Sequence, residues 1–329
     1  VSTITGTLRR LVLAPSLAEV GFARRGFPQP DAAAARWLEA IPQSVVCGFE
    51  WGIDGAQPWE LERRLALIEP TMRGFAYEGA TMACTVLDAI AGGRGTRTRD
   101  LLLGPGRPHL FLAYIGIGFA MARLPRAAWR SVLPDLPGMP YHPTMGWLAV
   151  DGYGFDKAYF HTRRWVDEQR RPAVYPWQGH AGYFPRAVDQ GIGRALWFIH
   201  GARVTDVDAA VRSFAAARQP DLWSGVGLAA TFAGGCGTQD LAALRHAAGD
   251  CRDDLAQGAV FAAKAREFSG TVPEHSEGAC AALTGMPVST ASRLADDVAV
   301  EPHAAGDLPA YELWRERVRE HCRISLAHF

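Results

Sequence analysis

A chain that repeats a block of itself has few ways to fold, because each copy must build the same local structure. Here CGFEWGIDGAQPWELERRLALIEPTMRGFAYEGATMACTVLDAI (47–90) can be laid over LWFIHGARVTDVDAAVRSFAAARQPDLWSGVGLAATFAGG (196–235), so that Phe49 faces Phe198, Gly52 faces Gly201, Phe75 faces Trp223 and Gly79 faces Gly227. The offset is 149 at the start and 148 further on, a single one-residue gap. A second block follows each: IGIGFAMARLP (115–125) resembles QGAVFAAKAREF (257–268), and DGYGFDKAYF (151–160) resembles EGACAALTGM (277–286). The order is A-B-A-B, which predicts two pseudo-symmetric halves, residues 1–165 and 166–329, within a single unit.

Each half reads as helical. WELERRLALIEP and DVDAAVRSFAAARQP are amphipathic segments closed by Pro70 and Pro220, and each precedes an apolar helix rich in glycine and alanine. Strand-like alternation is confined to SVVCGFEWG and RALWFIHG, short runs that could pair with one another. The expected fold is therefore mainly α with at most a few short strands. Glycine inside a helix costs about 1 kcal/mol relative to alanine. Its recurrence at Gly74, Gly79, Gly116, Gly118, Gly152, Gly154, Gly191, Gly193, Gly225 and Gly227 calls for a compensating gain, which close helix approach supplies. GIGRALW and GYGFDK lack the third glycine of a dinucleotide fingerprint and the lysine of a phosphate loop.

Lys plus Arg equals Asp plus Glu at 34 each, with no long basic block, so the electrostatic footprint of a nucleic-acid binder is missing. The longest uncharged apolar run, LFLAYIGIGFAMA (110–122), is too short for a spanning helix, which needs about 20 residues. The first residues show no cleavage pattern for export, and the six cysteines form no C-x-x-C pair. A cytoplasmic protein with reduced thiols is expected.

Against this background RGFAYEGATMACTVLDAI (73–90) stands out, because an otherwise apolar helix carries Arg73, Glu78 and Asp88. At about 100° per residue Glu78, Thr81, Thr85 and Asp88 form one stripe, bordered by Tyr77. Such a stripe faces water, pairs with arginines, or lines an internal cavity. In the repeat Glu78 maps to Val226 and Asp88 to Cys236, so a scaffold that is truly duplicated does not require those acids. A second cluster, WLAVDGYGFDKAYFH, holds Asp151, Tyr153, Asp156, Lys157 and His161; a third, FPRAVDQGIGRALWFIHG, holds Asp189, Arg194 and His200. Asp189 with Arg194 as a structural ion pair and His200 as a core histidine are the plain alternatives. DLWSG (221–225) reads as a helix start with Trp223 in the core. No HExxH, ExxH or G-x-S-x-G motif occurs, EHSE (274–277) reads equally as a helix start, and no metal or cofactor is assigned.

Taken in order, RGFAYEGATMACTVLD, YIGIGFAMARLP, WLAVDGYGFDKAYFH, DQGIGRALWF and DLWSGVGLAATFAGG resemble the signature of the DUF1702 family over about residues 10–295. That resemblance implies a pathway rather than a reaction, since members are encoded beside the polyketide synthases of enediyne antibiotics. The expected ligand is then a linear, apolar, polyketide-derived polyene, with other enediyne core proteins as potential partners. An enzyme would use Glu78, Asp88, Asp151, Asp156 and His161 as acid and base groups. Arg73, Tyr77, Tyr153, Asp189, Arg194, His200 and Trp223 would hold the substrate. The rival reading is a non-catalytic polyene-binding or assembly protein of the same pathway. Oligomeric state is left open.

Overall fold

The computed structural model describes residues 16–55, 57–93, 95–302 and 306–326. After a short turn of helix at Phe22–Arg25, the main helices are α1 (Ala32–Ile53), α2 (Pro58–Leu65), α3 (Pro70–Ile90), α4 (Arg97–Leu103), α5 (Leu110–Arg123), α6 (Leu148–Phe160), α7 (Phe184–Ile199), α8 (Val204–Ser213), α9 (Gln219–Ala233), α10 (Thr238–Ala247), α11 (Arg252–Phe268), α12 (Glu274–Thr284), α13 (Val288–Asp297) and α14 (Ala310–Leu326). The fold is mainly α, and no strand occurs among the described residues. Both segments expected as strands are helical instead: SVVCGFEWG lies in α1, and RALWFIHG forms the end of α7 and the turn after it. Their aromatic and β-branched residues are helix-core residues, Phe49 at 2% exposure and Trp197 at 0%, so tertiary burial overrides local strand preference.

Contacts divide the chain into two compact units. One comprises residues 39–153 with the segment ending at Gly26; the other comprises residues 27–38 and 154–329.

In the first unit α1, α3 and α5 lie against one another through glycine. A Cβ placed on Gly48 would fall 1.8 Å from the Ala76 carbonyl oxygen, one on Gly79 1.8 Å from that of Val45, and one on Gly116 2.1 Å from that of Glu78. The start of α6 continues the pattern, Gly118 meeting Ala149 and Gly152 meeting Ile115. No side chain fits such gaps, so the helix-propensity cost of each glycine is offset by backbone-to-backbone contact that any other residue would hold apart.

The second unit repeats the arrangement with α7, α9 and α11. Gly193 meets Leu222, Gly225 meets Gln190 and Gly258 meets Ser224, with an added Cβ only 1.9–2.0 Å from each carbonyl oxygen. Matched by contact, Gly48 pairs with Gly193, Gly79 with Gly225 and Gly116 with Gly258. This register places Gly79 opposite Gly225 rather than Gly227, and Glu78 opposite Ser224 rather than Val226. Short runs of glycine and alanine align about equally well when slid by two residues, and only the facing backbone selects between the alternatives.

The end of α9 is capped by side chains. Trp37 Nε1 donates to Ala233 O (2.7 Å), Trp197 Nε1 to Gly234 O (2.8 Å) and Arg266 Nη2 to Phe232 O (2.5 Å). The last carbonyls of a helix have no partner within it and carry partial negative charge. A buried arginine, 3% exposed, is therefore well placed there.

Candidate functional site

The polar stripe of α3 resolves into parts with different occupations. Thr81 Oγ1 donates to Tyr77 O (2.8 Å) and Thr85 Oγ1 to Thr81 O (2.9 Å), the back-bonding by which a hydroxyl is tolerated on a buried helix face. Asp88 caps the start of α4: its carboxylate accepts from Thr98 N (2.9 Å), Thr98 Oγ1 (2.9 Å) and Arg97 N (3.2 Å). The recess beside it, about 40 Å³, has room for a water or two and not for a substrate. Arg73 Nη2 donates to Ala66 O and Ile68 O, each at 3.2 Å, tying down the turn after α2.

Glu78 remains at the centre of the stripe, 2% exposed, its own carbonyl under Gly116. Tyr77 beside it stacks on His109 with centroids 4.7 Å apart, and burial pushes its phenol up to about 12. Asp151, on the first turn of α6, is 1% exposed in the same unit. Two residues on, Tyr153 meets Trp129 edge-on at 5.0 Å. The first unit thus contains two carboxylic acids withdrawn from water.

The other expected site residues belong to the second unit. Asp156 is buried at 2% exposure, whereas His161, at the end of α6, is exposed. Asp189 pairs with Arg218 rather than Arg194, through two hydrogen bonds of 2.9 and 2.5 Å. Arg194 lies over the Phe155 ring at 5.1 Å. His200 is half-buried, and burial pulls its imidazole below the usual histidine range. Trp223 is a core residue at 2% exposure. The helix around it starts earlier than the sequence suggests, at Gln219, so Asp221 and Ser224 sit inside it.

Those two residues belong to a buried ionic cluster that reading the sequence missed. Arg315 Nη1 contacts Asp221 Oδ1 (2.8 Å), Glu312 Oε2 (2.7 Å) and the Tyr183 hydroxyl (2.6 Å), while its Nε donates to Gln257 Oε1 (2.9 Å). Ser224 Oγ donates to the same Gln257 oxygen (2.8 Å). Arg186 bridges Asp221 and Glu312 from the other side, and Arg319 Nη2 donates to Glu312 Oε1 (2.8 Å). Glu312 loses hydration on burial, but the three arginines around it outweigh that loss and hold its carboxyl down at about 2. Asp254, where burial dominates over Arg319 at 3.6 Å, is pushed up to about 6. A signal for this cluster exists in the sequence. Arg315 falls about 40° from Tyr311 on a helical wheel, within the apolar face of Tyr311, Trp314, Val318 and Cys322. An arginine there must find buried partners.

All six cysteines are free. Burial raises the thiols of Cys84 and Cys322 to about 12, which leaves them protonated and unreactive at neutral pH. Among the described residues no group of three or more His, Cys, Asp or Glu side chains is arranged to hold a metal ion, and no helix is long and apolar enough to cross a membrane.

No curated protein and no solved structure matches the chain. A family profile described as a protein of unknown function matches residues 4–322. With nearly the whole length covered, the chain belongs to the DUF1702 family.

Proposed function

We propose that the protein is an enzyme of enediyne antibiotic biosynthesis that acts on a linear, polyketide-derived polyene during formation of the enediyne core, with Glu78 and Asp151 moving protons. The observation carrying this reading is the presence of two deeply buried acids, Glu78 and Asp151, in the first unit. A positioned carboxyl group can give a proton to a substrate or take one from it. The family resemblance supplies the pathway and the apolar character of the substrate.

Packing alone does not call for an acid at Glu78. At the matching contact of the second unit, Ser224 occupies the same position under Gly258. Asp88 and Asp189 serve a helix cap and an ion pair, so they are assigned to the scaffold. Asp156 is held in reserve as a third acid.

The test is incubation of purified protein with the polyene released by the synthase, followed by mass spectrometry and by the absorbance of the conjugated chain. Conversion to a product of changed mass or chromophore is expected. A polyene left unchanged in the presence of the other core proteins overturns the catalytic reading and leaves a binding or assembly role in the same pathway.

A further inference from the structure

We propose that the first unit carries a second binding site, a cavity of about 400 Å³ among α1, α2, α3 and α4, that takes a medium-chain carboxylic acid with its carboxylate on Arg97. The volume lies inside the roughly 300–1,000 Å³ range of small-molecule pockets. Glu78 and Asp151 do not line it, so the site stands or falls independently of the polyene chemistry.

The floor is apolar. Leu61 and Leu101 are each 4% exposed, and Cys84 is 6% exposed. Burial, reinforced by the charge of Asp88, keeps the Cys84 thiol protonated, so it presents a small soft apolar surface rather than a nucleophile.

The mouth is polar, and among the described residues lining it Arg97 is the one cation. Arg97 has a half-exposed side chain whose nearest acidic partner is Asp88 Oδ1, at 3.7 Å from Nη1. Among the described residues its guanidinium donates no hydrogen bond. Asp88 is already occupied by the Arg97 and Thr98 backbone amides and the Thr98 hydroxyl. Asp100, at the same mouth, accepts from Thr96 Oγ1 at 2.6 Å and pairs with Arg99 at 3.5 Å. A guanidinium offers five N–H donors in a fork that matches a carboxylate. A chain with an acidic head therefore satisfies both ends of the cavity, an alcohol satisfies the floor alone, and an amine meets a like charge.

Calorimetric titration of the full chain with octanoate, octanol and octylamine, each below its micelle concentration at pH 7.5, separates these cases. Octanoate is expected to bind saturably at one per chain and at least tenfold tighter than octanol, with octylamine weakest. Arg97→Gln should remove that tenfold advantage while leaving octanol binding unchanged. Absence of saturable octanoate binding, undiminished binding by Arg97→Gln, or octylamine binding as tight as octanoate would each overturn the proposal.

Discussion

The two helix trios, α1–α3–α5 and α7–α9–α11, bring backbones together through the same three glycine contacts, yet they place different polar residues at one of them. In the second, Ser224 sits under Gly258 and joins Gln257, Arg315, Asp221 and Glu312 in a cluster where charges answer one another. In the first, the matching position is Glu78, and its neighbours on the stripe are hydroxyls bonded back to their own helix. The shared geometry shows that close approach depends on the glycines and is indifferent to the side chain beneath. The glycine contact therefore does not dictate the residue beneath it, and that makes Glu78 the more informative position of the two.

The largest effect on stability is expected at the buried ionic cluster of the second unit. Arg315→Met strands Glu312 and Asp221 without their central partner and should cost about 3–5 kcal/mol in denaturant unfolding, the usual consequence of breaking a buried charge network from one side. A cost below about 1 kcal/mol would mean that the cluster does not hold α14 in place.

Next come the glycines that the trios share. Gly79→Ala and Gly225→Ala each force a methyl to within 1.8–1.9 Å of a carbonyl oxygen, and each should lose about 2–3 kcal/mol. Gly278 in α12 has nothing within 4 Å, so Gly278→Ala should stabilise by up to about 1 kcal/mol. If one of the first two variants is tolerated, the equivalence of the trios is broken.

A pH series sharpens the contrast further. Asp254 has its carboxyl raised to about 6 in the folded state, so the folded protein binds its proton more tightly than the unfolded chain does. That contribution is fully present below the ordinary aspartate range and is lost as pH rises through 6, amounting to ~2 kcal/mol between pH 4 and pH 8. Asp254→Asn should flatten that fall and be the more stable protein at pH 8. Glu312 behaves oppositely: with its carboxyl held at about 2, its stabilisation is present above the ordinary glutamate range and lost as pH drops towards 2. Melting temperatures across pH 4–8 for the parent and Asp254→Asn read the first effect directly.

The smallest expected change is Asp88→Asn, about 1 kcal/mol, because the amide oxygen still caps α4 while the charge near its amides disappears. A loss of several kcal/mol would show that Asp88 does more than end a helix.

Much of the helical frame was legible in the sequence because apolar periodicity, Pro70 and Pro220 mark helices from neighbouring residues alone. Strands were expected where Val45, Val46, Trp197 and Phe198 crowd together, since local preference carries no information about which helix will bury them. The glycine-rich helices were visible, but which glycines meet which backbone was not; a carbonyl 1.8 Å from an imagined Cβ is a fact about two helices. For the site, the stripe on 73–90 was legible, but whether Glu78 and Asp151 face water or the interior was open until the packed helices placed both at 2% exposure or less. The commitment of Asp88 to Thr98 and of Asp189 to Arg218 was not legible, because each partner lies ten or more residues away. The cavity beside Arg97 was equally hidden, being made by four helices of which none alone has a binding pattern.

The most direct measurement is enediyne-core product formation by Glu78→Gln beside Ser224→Ala, with the melting temperature of each recorded. Glu78→Gln is expected to keep the fold and lose about 10²–10⁴-fold in product, whereas Ser224→Ala loses about 1 kcal/mol of stability with product unchanged. Full product from a folded Glu78→Gln would contradict the account.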